Sequence, residues 1–144
     1  MDLNLYFPGG KFALVVRAVI LREGRVLMVK DSLGRYYYPV GGRVQFGETA
    51  AQAAEREAFE ETGAAFKAER LLFVHENFFW DCHELCLFYL MKPSSAPVRE
   101  MTDDGEALEW LPLDRLGEYK VYPQFFPAQL PGLTMEVKHF VTRE

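Results

Sequence analysis

Residues 42–64 read GRVQFGETAAQAAEREAFEETGA and carry the most informative pattern in the chain. Glycines, glutamates and one arginine stand there at the spacing G-x5-E-x7-R-E-x-x-E-E-x-G. The fixed positions are Gly42, Glu48, Arg56, Glu57, Glu60, Glu61 and Gly63. So many fixed positions in so short a stretch would rarely coincide by chance. The pattern therefore predicts a specific local structure that serves a specific chemistry.

The same stretch predicts an α-helix. Thr49 suits the N-cap position, and Gln52 stands three residues later, which is the spacing of a capping box. Residues 50–61 contain no proline or glycine and are rich in strong helix formers. Gly63 suits the left-handed residue that ends a helix. We expect a helix of about three turns.

Three acidic residues of this helix lie on one face. Glu57, Glu60 and Glu61 are three or four positions apart or adjacent, so their side chains are neighbours, and like charges at this spacing repel. Mg²⁺ takes oxygen ligands and is usually held by a few carboxylates together with substrate phosphates. The face indicates a Mg²⁺ site, with Mn²⁺ as an alternative ion. A solvated acidic surface is the other interpretation, and this spacing alone would favour it.

The pattern resembles the Nudix box, the signature of the Nudix hydrolase superfamily, whose members include MutT-like proteins. The resemblance extends to the predicted first hairpin and to residues 110–114 (WLPLD), so it covers most of the chain. It implies an α/β fold, a Nudix-type α/β/α sandwich with a mixed sheet, as one domain over residues 1–144. One departure precedes the box, because Val40 separates Pro39 from the paired glycines that usually follow a proline directly.

The resemblance also implies roles for individual residues. The implied metal ligands are Gly41, through its carbonyl, Glu57, Glu60 and Glu61. Arg56 orients a carboxylate in the family, and Glu48 is its expected partner here. The residues expected to take part in catalysis are Glu60, Glu61, Arg56, Glu48 and Glu106. Paired glycines allow the backbone to approach a ligand closely, which agrees with a role for Gly41.

Glu106 is included because the general base of the family varies and often lies outside the box. The candidates are Asp103, Asp104 and Glu106, in the predicted loop before Trp110, and Glu84 on a predicted strand. We favour Glu106 because a loop at the edge of a sheet can move over a bound diphosphate. Each candidate has the alternative interpretation of a surface charge.

Periodicity places the other elements. Strands are predicted over residues 12–21, 26–30, 36–40, 71–80, 84–91, 107–111 and 135–141, and short helices over residues 113–119 and 124–130. The paired glycines fall on a loop after residues 36–40, and residues 81–83 form the turn of a second hairpin. Aromatic residues could stack on a nucleobase, although such runs are more often core; they are Phe78, Phe79, Trp80, Tyr122, Phe125 and Phe126.

Composition narrows the class of protein. A chain of 144 residues with 49% hydrophobic residues can bury a sizeable core as one domain. No signal peptide and no apolar run long enough to span a bilayer is visible, so we expect a cytoplasmic protein with no membrane partner. The net charge is −5 and the basic residues are dispersed, which argues against a nucleic-acid polymer as partner.

The expected function is Mg²⁺-dependent hydrolysis of a nucleoside diphosphate linked to another moiety, with water attacking phosphorus. The partner is thus a small, nucleotide-like phosphoanhydride, and the identity of the linked moiety stays open. A nucleoside triphosphate pyrophosphohydrolase is the enzymatic alternative. The alternative from another class is a Nudix-like module that senses a nucleotide metabolite without cleaving it. A homodimer is compatible with the sequence.

Overall fold

Strand β2 (Gly10–Val19) lies at the centre of a mixed sheet in the computed structural model, which describes residues 1–143. It pairs antiparallel with β1 (Asn4–Phe7) and β5 (Tyr37–Arg43), and parallel with β7 (Cys82–Met91). Successive side chains of β2 point to opposite faces of the sheet, as the two-residue period of a strand requires. Both faces are apolar, so each must be covered.

The remaining strands extend the sheet on both sides of this centre. They are β3 (Leu21–Arg22), β4 (Arg25–Lys30), β6 (Ala68–Phe79), β8 (Leu108–Pro112) and β9 (Lys138–Arg143). The order along the sheet is β3-β4-β5-β2-β7-β6-β9, with β8 beside β4. β6 and β9 are parallel, as are β2 and β7, and the other pairs are antiparallel. The predicted mixed sheet is confirmed.

Helices cover the two faces. Helix α1 (Ala50–Thr62) packs on one face, and the short α2 (Phe126–Gln129) packs on the other with the 3₁₀ turns Leu113–Glu118 and Leu130–Gly132. The layer beneath α1 includes Val16, Ala18, Val40, Ala54 and Ala58. The layer beneath α2 includes Val15, Phe73, Phe88, Leu116 and Phe126. The architecture is the α/β/α sandwich that was expected.

Helix α1 begins and ends where the sequence predicts. The Gln52 amide donates to Thr49 Oγ1 at 3.1 Å, and the Thr49 amide donates to Gln52 Oε1 at 2.9 Å, which completes a capping box. Gly63 has φ 77°, and its N–H donates to the Phe59 carbonyl at 2.9 Å. Ala54 and Ala58 are fully buried, so the helix backbone lies close to the sheet.

Two predicted loops differ in the structure. Gly41 and Gly42 lie within β5, where they pair with Arg17 and Val16 of β2, and not on a loop. The tight approach of these strands explains the glycines, because a Cβ atom on Gly41 would lie 2.1 Å from the Val16 carbonyl oxygen. The second hairpin turns at Trp80, which has φ 49°, so residues 82 and 83 belong to β7. The other strands shift by a few residues.

None of the helices within residues 1–143 is long and apolar enough to cross a membrane.

A buried histidine in β6 gives the fold a defined response to acid. His75 is 5% exposed, and burial lowers its pKa from 6.5 to about 4. The native state therefore stays neutral at this position while the unfolded chain takes up a proton near pH 6.5. Because the unfolded state binds more protons between these values, the free energy of unfolding falls as the pH drops through this window.

We expect His75→Gln to remove that part of the acid sensitivity. Between pH 7 and pH 4.5 the wild-type protein should lose about 2 kcal/mol more of its free energy of unfolding than the variant loses. Urea denaturation at the two pH values measures the free energy of unfolding of each protein. The carboxylates are the same in both proteins, so their contribution cancels when the two losses are compared. Equal losses in the two proteins would show that His75 is not held neutral.

Candidate active site

The guanidinium of Arg56 forms hydrogen bonds at the acidic face of α1, the face that carries Glu57, Glu60 and Glu61. Its Nε and Nη2 atoms donate to the two oxygens of Glu48 at 2.9 and 2.8 Å. Its Nη1 atom donates to Glu57 at 3.0 Å and to Glu60 at 3.2 Å, and Nη2 also donates to the Arg43 carbonyl at 3.0 Å. One cation thus joins three carboxylates to the end of β5.

Glu48 is the most firmly held of these carboxylates. Besides the paired bonds from Arg56, its Oε1 atom accepts the Gln45 N–H at 2.9 Å. The hydrogen bonds from Arg56 lower the pKa of Glu48, so this side chain is ionised. The structure therefore places Glu48 against Arg56, the partner expected from the sequence. A role in orienting the other carboxylates follows as a proposal.

The carboxylate of Glu57 packs directly against the backbone of β5. A Cβ atom on Gly42 would lie 2.5 Å from Cδ of Glu57, so only glycine leaves room for this carboxylate. The Glu57 side chain is 15% exposed. Burial raises its pKa, and the hydrogen bond from Arg56 opposes that rise. Glu57 is therefore a poorly solvated acid whose charge is partly balanced by Arg56.

Glu61 is buried more deeply and has no arginine bonded to it. The Gly41 N–H donates to its Oε2 atom at 3.2 Å. Burial raises the pKa of Glu61 to about 7; Arg17 opposes the rise, whereas Glu57 and Glu106 add to it. Burial, rather than repulsion between neighbouring carboxylates, is thus the main reason that this acid holds its proton.

Glu60 is placed differently from the other two acids of its face. Its side chain is 53% exposed, and its contact with Arg56 at 3.2 Å is a surface ion pair. Such pairs contribute little to stability. Its role as metal ligand and catalytic residue stays a prediction.

One of the distal carboxylates lies near the acidic face. Glu106 accepts the Tyr38 O–H at 2.7 Å and is close enough to raise the pKa of Glu61. Asp103 is instead paired with Arg99 at 2.9 Å and is 83% exposed. Asp104 is exposed in the following turn. The loop before β8 therefore brings Glu106, among its acidic residues, towards the box.

Sequence reasoning did not single out Arg17 and Tyr38. Arg17 donates to the Pro39 carbonyl at 3.1 Å and lies 5.6 Å from the ring centroid of Tyr38. Its side chain packs against Gly41, because a Cβ atom on Gly41 would lie 2.7 Å from Cδ of Arg17. The signal in the sequence was a single charge in the apolar run of residues 12–20. The charge of Arg17 is close enough to the acidic face to lower the pKa of Glu61, although the two side chains form no ion pair.

The donor set fits a hard divalent cation. Within residues 1–143 no three acidic, histidine or cysteine side chains converge into a ready-made metal cage. Mg²⁺ does not require one, because it commonly uses one or two carboxylates and completes its shell with waters and substrate phosphates. Glu57 and Glu61 supply two poorly solvated carboxylates beside the backbone of Gly41 and Gly42.

Comparison with known proteins agrees with this geometry. The sequence profile of the NUDIX domain matches residues 11–129. The chain therefore belongs to the NUDIX family. A "MutT-like protein" of Streptomyces ambofaciens is 29% identical over 104 residues, which are 72% of this chain and 66% of that relative. The chain thus spans slightly less than two thirds of its relative's length.

Solved structures show the same fold. A MutT NUDIX hydrolase from Burkholderia pseudomallei is 30% identical, with a TM-score of 0.61 over 72% of this chain and 84% of that one. A MutT protein from Bacillus halodurans is 15% identical, with a TM-score of 0.77 over 91% of this chain and 89% of that one. At such low identity the second likeness speaks for the fold alone.

The two glycines make a matched pair for mutagenesis. Gly42→Ala places its methyl group against the end of the Glu57 side chain, which can swing away, so the fold should survive while the carboxylate is displaced. We expect millimolar Mn²⁺ to raise the melting temperature of the wild type and to have little effect on that of Gly42→Ala. Glu57→Gln/Glu61→Gln should behave like Gly42→Ala. A full Mn²⁺ response in Gly42→Ala would contradict this placement of Glu57.

Gly41→Ala is the contrasting variant. Its methyl group would meet the backbone carbonyl of Val16, which cannot move without breaking the pairing of β2 and β5. We therefore expect Gly41→Ala to lower the melting temperature without added metal by more than Gly42→Ala does.

Proposed function

We propose that the protein is a metal-dependent hydrolase that cleaves a phosphoanhydride bond of a nucleoside diphosphate linked to another moiety. The observation that carries the proposal is the pair of partly buried carboxylates, Glu57 and Glu61, held against the glycine backbone of β5. Family membership supports hydrolysis as the reaction class. Glu61 lies in a poorly solvated place without an ion pair, which costs stability, and a bound metal ion would offset that cost.

Glu57 and Glu61 would hold Mg²⁺ or Mn²⁺, with the Gly41 carbonyl and Glu60 as further proposed ligands. When bound, the ion supplies Lewis-acid shielding of phosphate oxygens and a more acidic water. Arg56 keeps Glu57 and Glu48 in place through hydrogen bonds that are already formed. The carboxylates that Arg56 binds are therefore already in position before a ligand arrives, whereas no arginine fixes the carboxylate of Glu61.

Two further residues would act on substrate and water. Arg17 lies beside the acidic face and has donors left over after its bond to the Pro39 carbonyl, so it is suited to binding phosphate oxygens. Glu106 uses one oxygen to accept the Tyr38 O–H, which holds the carboxylate in place and leaves the other oxygen free. We propose that this second oxygen takes the proton of the attacking water.

A nucleoside triphosphate pyrophosphohydrolase is the second candidate, and it would use the same groups. A sensor that binds without cleaving is less consistent with the site, because pure binding does not need so many carboxylates beside the phosphates. The acidic net charge is compatible with a small substrate that arrives with its own cation. The single domain over residues 1–144, the cytoplasmic location and a homodimer remain predictions.

A substrate panel tests the proposal. Nucleoside diphosphate sugars, ADP-ribose, dinucleoside polyphosphates and nucleoside triphosphates would be incubated with Mg²⁺ or Mn²⁺, and the nucleotide and phosphate products resolved. Release of a nucleoside monophosphate and a phosphorylated moiety supports the leading function. Release of pyrophosphate from triphosphates supports the second. Tight binding with no turnover across the panel would support the sensor.

Glu61→Gln should keep the fold and lose most of kcat. The amide preserves the size of the side chain but removes the charge where the ion is held, so the loss falls on the chemical step more than on substrate affinity. In the wild type, ¹⁸O from labelled water should enter a phosphate-containing product, because water is the nucleophile. Mass spectrometry of the products measures this incorporation. Turnover without ¹⁸O in a phosphate group would exclude attack of water on phosphorus.

Glu106→Gln should lower kcat by about 10²- to 10⁴-fold, the usual effect of removing a general base. Mn²⁺ affinity should change little, since Glu106 is not among the proposed ligands. Asp104→Asn is the matched control and should keep full activity, because Asp104 is exposed in the turn that precedes Glu106. The reverse result, full activity in Glu106→Gln and loss in Asp104→Asn or Glu84→Gln, would move the role to the other carboxylate.

A further inference from the structure

A cleft of about 350 Å³ opens on the sheet face that carries α2. Its lining includes Arg17, Tyr38, His75, Asn77, Glu84 and Tyr122. Arg17 and Tyr38 are the two residues that also face Glu61 and Glu106. A molecule in this cleft would therefore have its near end at the acidic face, and the polar residues of β6 and β7 would face its far end.

The polar residues at the far end come from paired strands. Asn77 of β6 lies directly opposite Glu84 of β7, and His75 lies opposite Cys86 in the same register. Residues two apart in a strand share a face, so Asn77, His75 and Glu84 all point into the cleft. Directly opposed residues have Cβ atoms about 5 Å apart. The amide of Asn77 and the carboxylate of Glu84 are therefore side by side.

A chain of hydrogen bonds orients the Asn77 amide. Thr142 of β9 donates its hydroxyl proton to Asn77 Oδ1 at 2.6 Å, and its oxygen lies 2.7 Å from His75 Nε2. A hydroxyl has one proton, so Thr142 must accept its second bond from a protonated Nε2 of His75. Burial keeps His75 neutral. With Oδ1 occupied, the Asn77 NH₂ group is what remains for a ligand.

Glu84 complements this donor. Within residues 1–143 its carboxylate forms no side-chain hydrogen bond and no ion pair. An ionised carboxylate only accepts hydrogen bonds. The cleft thus presents a pair of N–H donors next to a pair of acceptor oxygens, and Arg17 stands at the end nearer the acidic face.

We propose that Asn77 and Glu84 select the nucleobase of the substrate, and that they favour a base edge with a carbonyl oxygen beside two N–H groups, as in guanine. The inference rests on the proposed function for the identity of the ligand as a nucleotide. Asn77 would donate to the carbonyl, and the two oxygens of Glu84 would accept the ring N–H and the amino N–H. His75 and Thr142 are positioning residues, because they act through Asn77.

Other bases match this pair less well. Adenine offers one amino group beside an unprotonated ring nitrogen, so one oxygen of Glu84 would face another acceptor. Uracil has carbonyls on both sides of its single N–H, so one of them would face the carboxylate. A buried acceptor that meets an acceptor loses its hydrogen bond and keeps its desolvation penalty. Such mismatches let a site built to hydrogen-bond one group reject close analogues.

Aromatic side chains support a planar ligand here. Tyr38 and Tyr122 line the cleft, and Tyr122 is held edge-on against Tyr36 with ring centroids 5.3 Å apart. Bases stack on such rings with little regard to their identity. Stacking would therefore supply affinity for any base, and the Asn77–Glu84 pair would supply the choice among bases.

Calorimetric titration of the full chain with GMP and AMP tests this proposal without any need for turnover. The wild type should bind GMP at least about tenfold more tightly than AMP. Asn77→Asp keeps an oxygen for Thr142 but replaces the NH₂ donor by an acceptor, and Glu84→Gln removes the charged acceptor. In both variants the ratio of GMP to AMP affinity should fall towards one.

The positioning residues have their own matched pair. Thr142→Ser keeps the hydroxyl and should keep the GMP-to-AMP ratio, whereas Thr142→Val should lower it. A general loss of structure would weaken both nucleotides equally and leave the ratio unchanged. Equal binding of GMP and AMP by the wild type, no binding of GMP at millimolar concentration, or an unchanged ratio in Asn77→Asp with the wild-type circular dichroism spectrum would overturn the proposal.

The two proposals fail in different ways. A clear preference for GMP in a protein that hydrolyses no member of the substrate panel would leave this inference standing and remove the hydrolase function. Hydrolysis of several nucleotides with no dependence on the base would do the reverse.

Discussion

The site depends above all on one guanidinium surrounded by carboxylates. Arg56 donates to Glu48, Glu57 and Glu60, and its fourth partner is the Arg43 carbonyl at the end of β5. Without this cation the acidic face of α1 would carry only like charges at helical spacing. Because Glu48 and Glu57 are largely buried, removing Arg56 would leave uncompensated charges in a poorly solvated place. The helix, the strand and the acids are thus held by a single side chain.

Gly41 and Gly42 also determine where the acidic side chains of α1 lie. Gly42 leaves room for the Glu57 carboxylate, and Gly41 lies between the backbone of β2 and Glu61. Close packing excludes water from Glu61, which is why its pKa rises to about 7. A carboxylate in this state binds a proton in the absence of another cation. The pairing of β5 with β2, a strand distant from the helix in sequence, therefore sets the chemistry of an acid on the helix.

Local signals allowed much of this to be predicted from the sequence. The cap at Thr49, the stop at Gly63 and the shared face of the glutamates all act within a few turns of one helix. The position of Gly41 within a strand was predicted wrongly, because it depends on pairing with Arg17, which is far away along the chain. The burial of Glu61 and its proximity to Arg17 are likewise products of tertiary packing, so no local pattern shows them.

The Mn²⁺ affinity of Arg56→Gln tests the central claim most directly. If Arg56 were merely a positive charge near the metal site, its removal would strengthen the binding of a cation. If it holds the carboxylates in place, its removal should weaken Mn²⁺ binding by about ten- to a hundredfold, as the loss of residues that orient metal ligands generally does. Electron paramagnetic resonance titration at pH 8 measures this, with Arg25→Gln, a change of an exposed arginine on β4, as an unchanged control. Equal or tighter Mn²⁺ binding in Arg56→Gln would contradict the account.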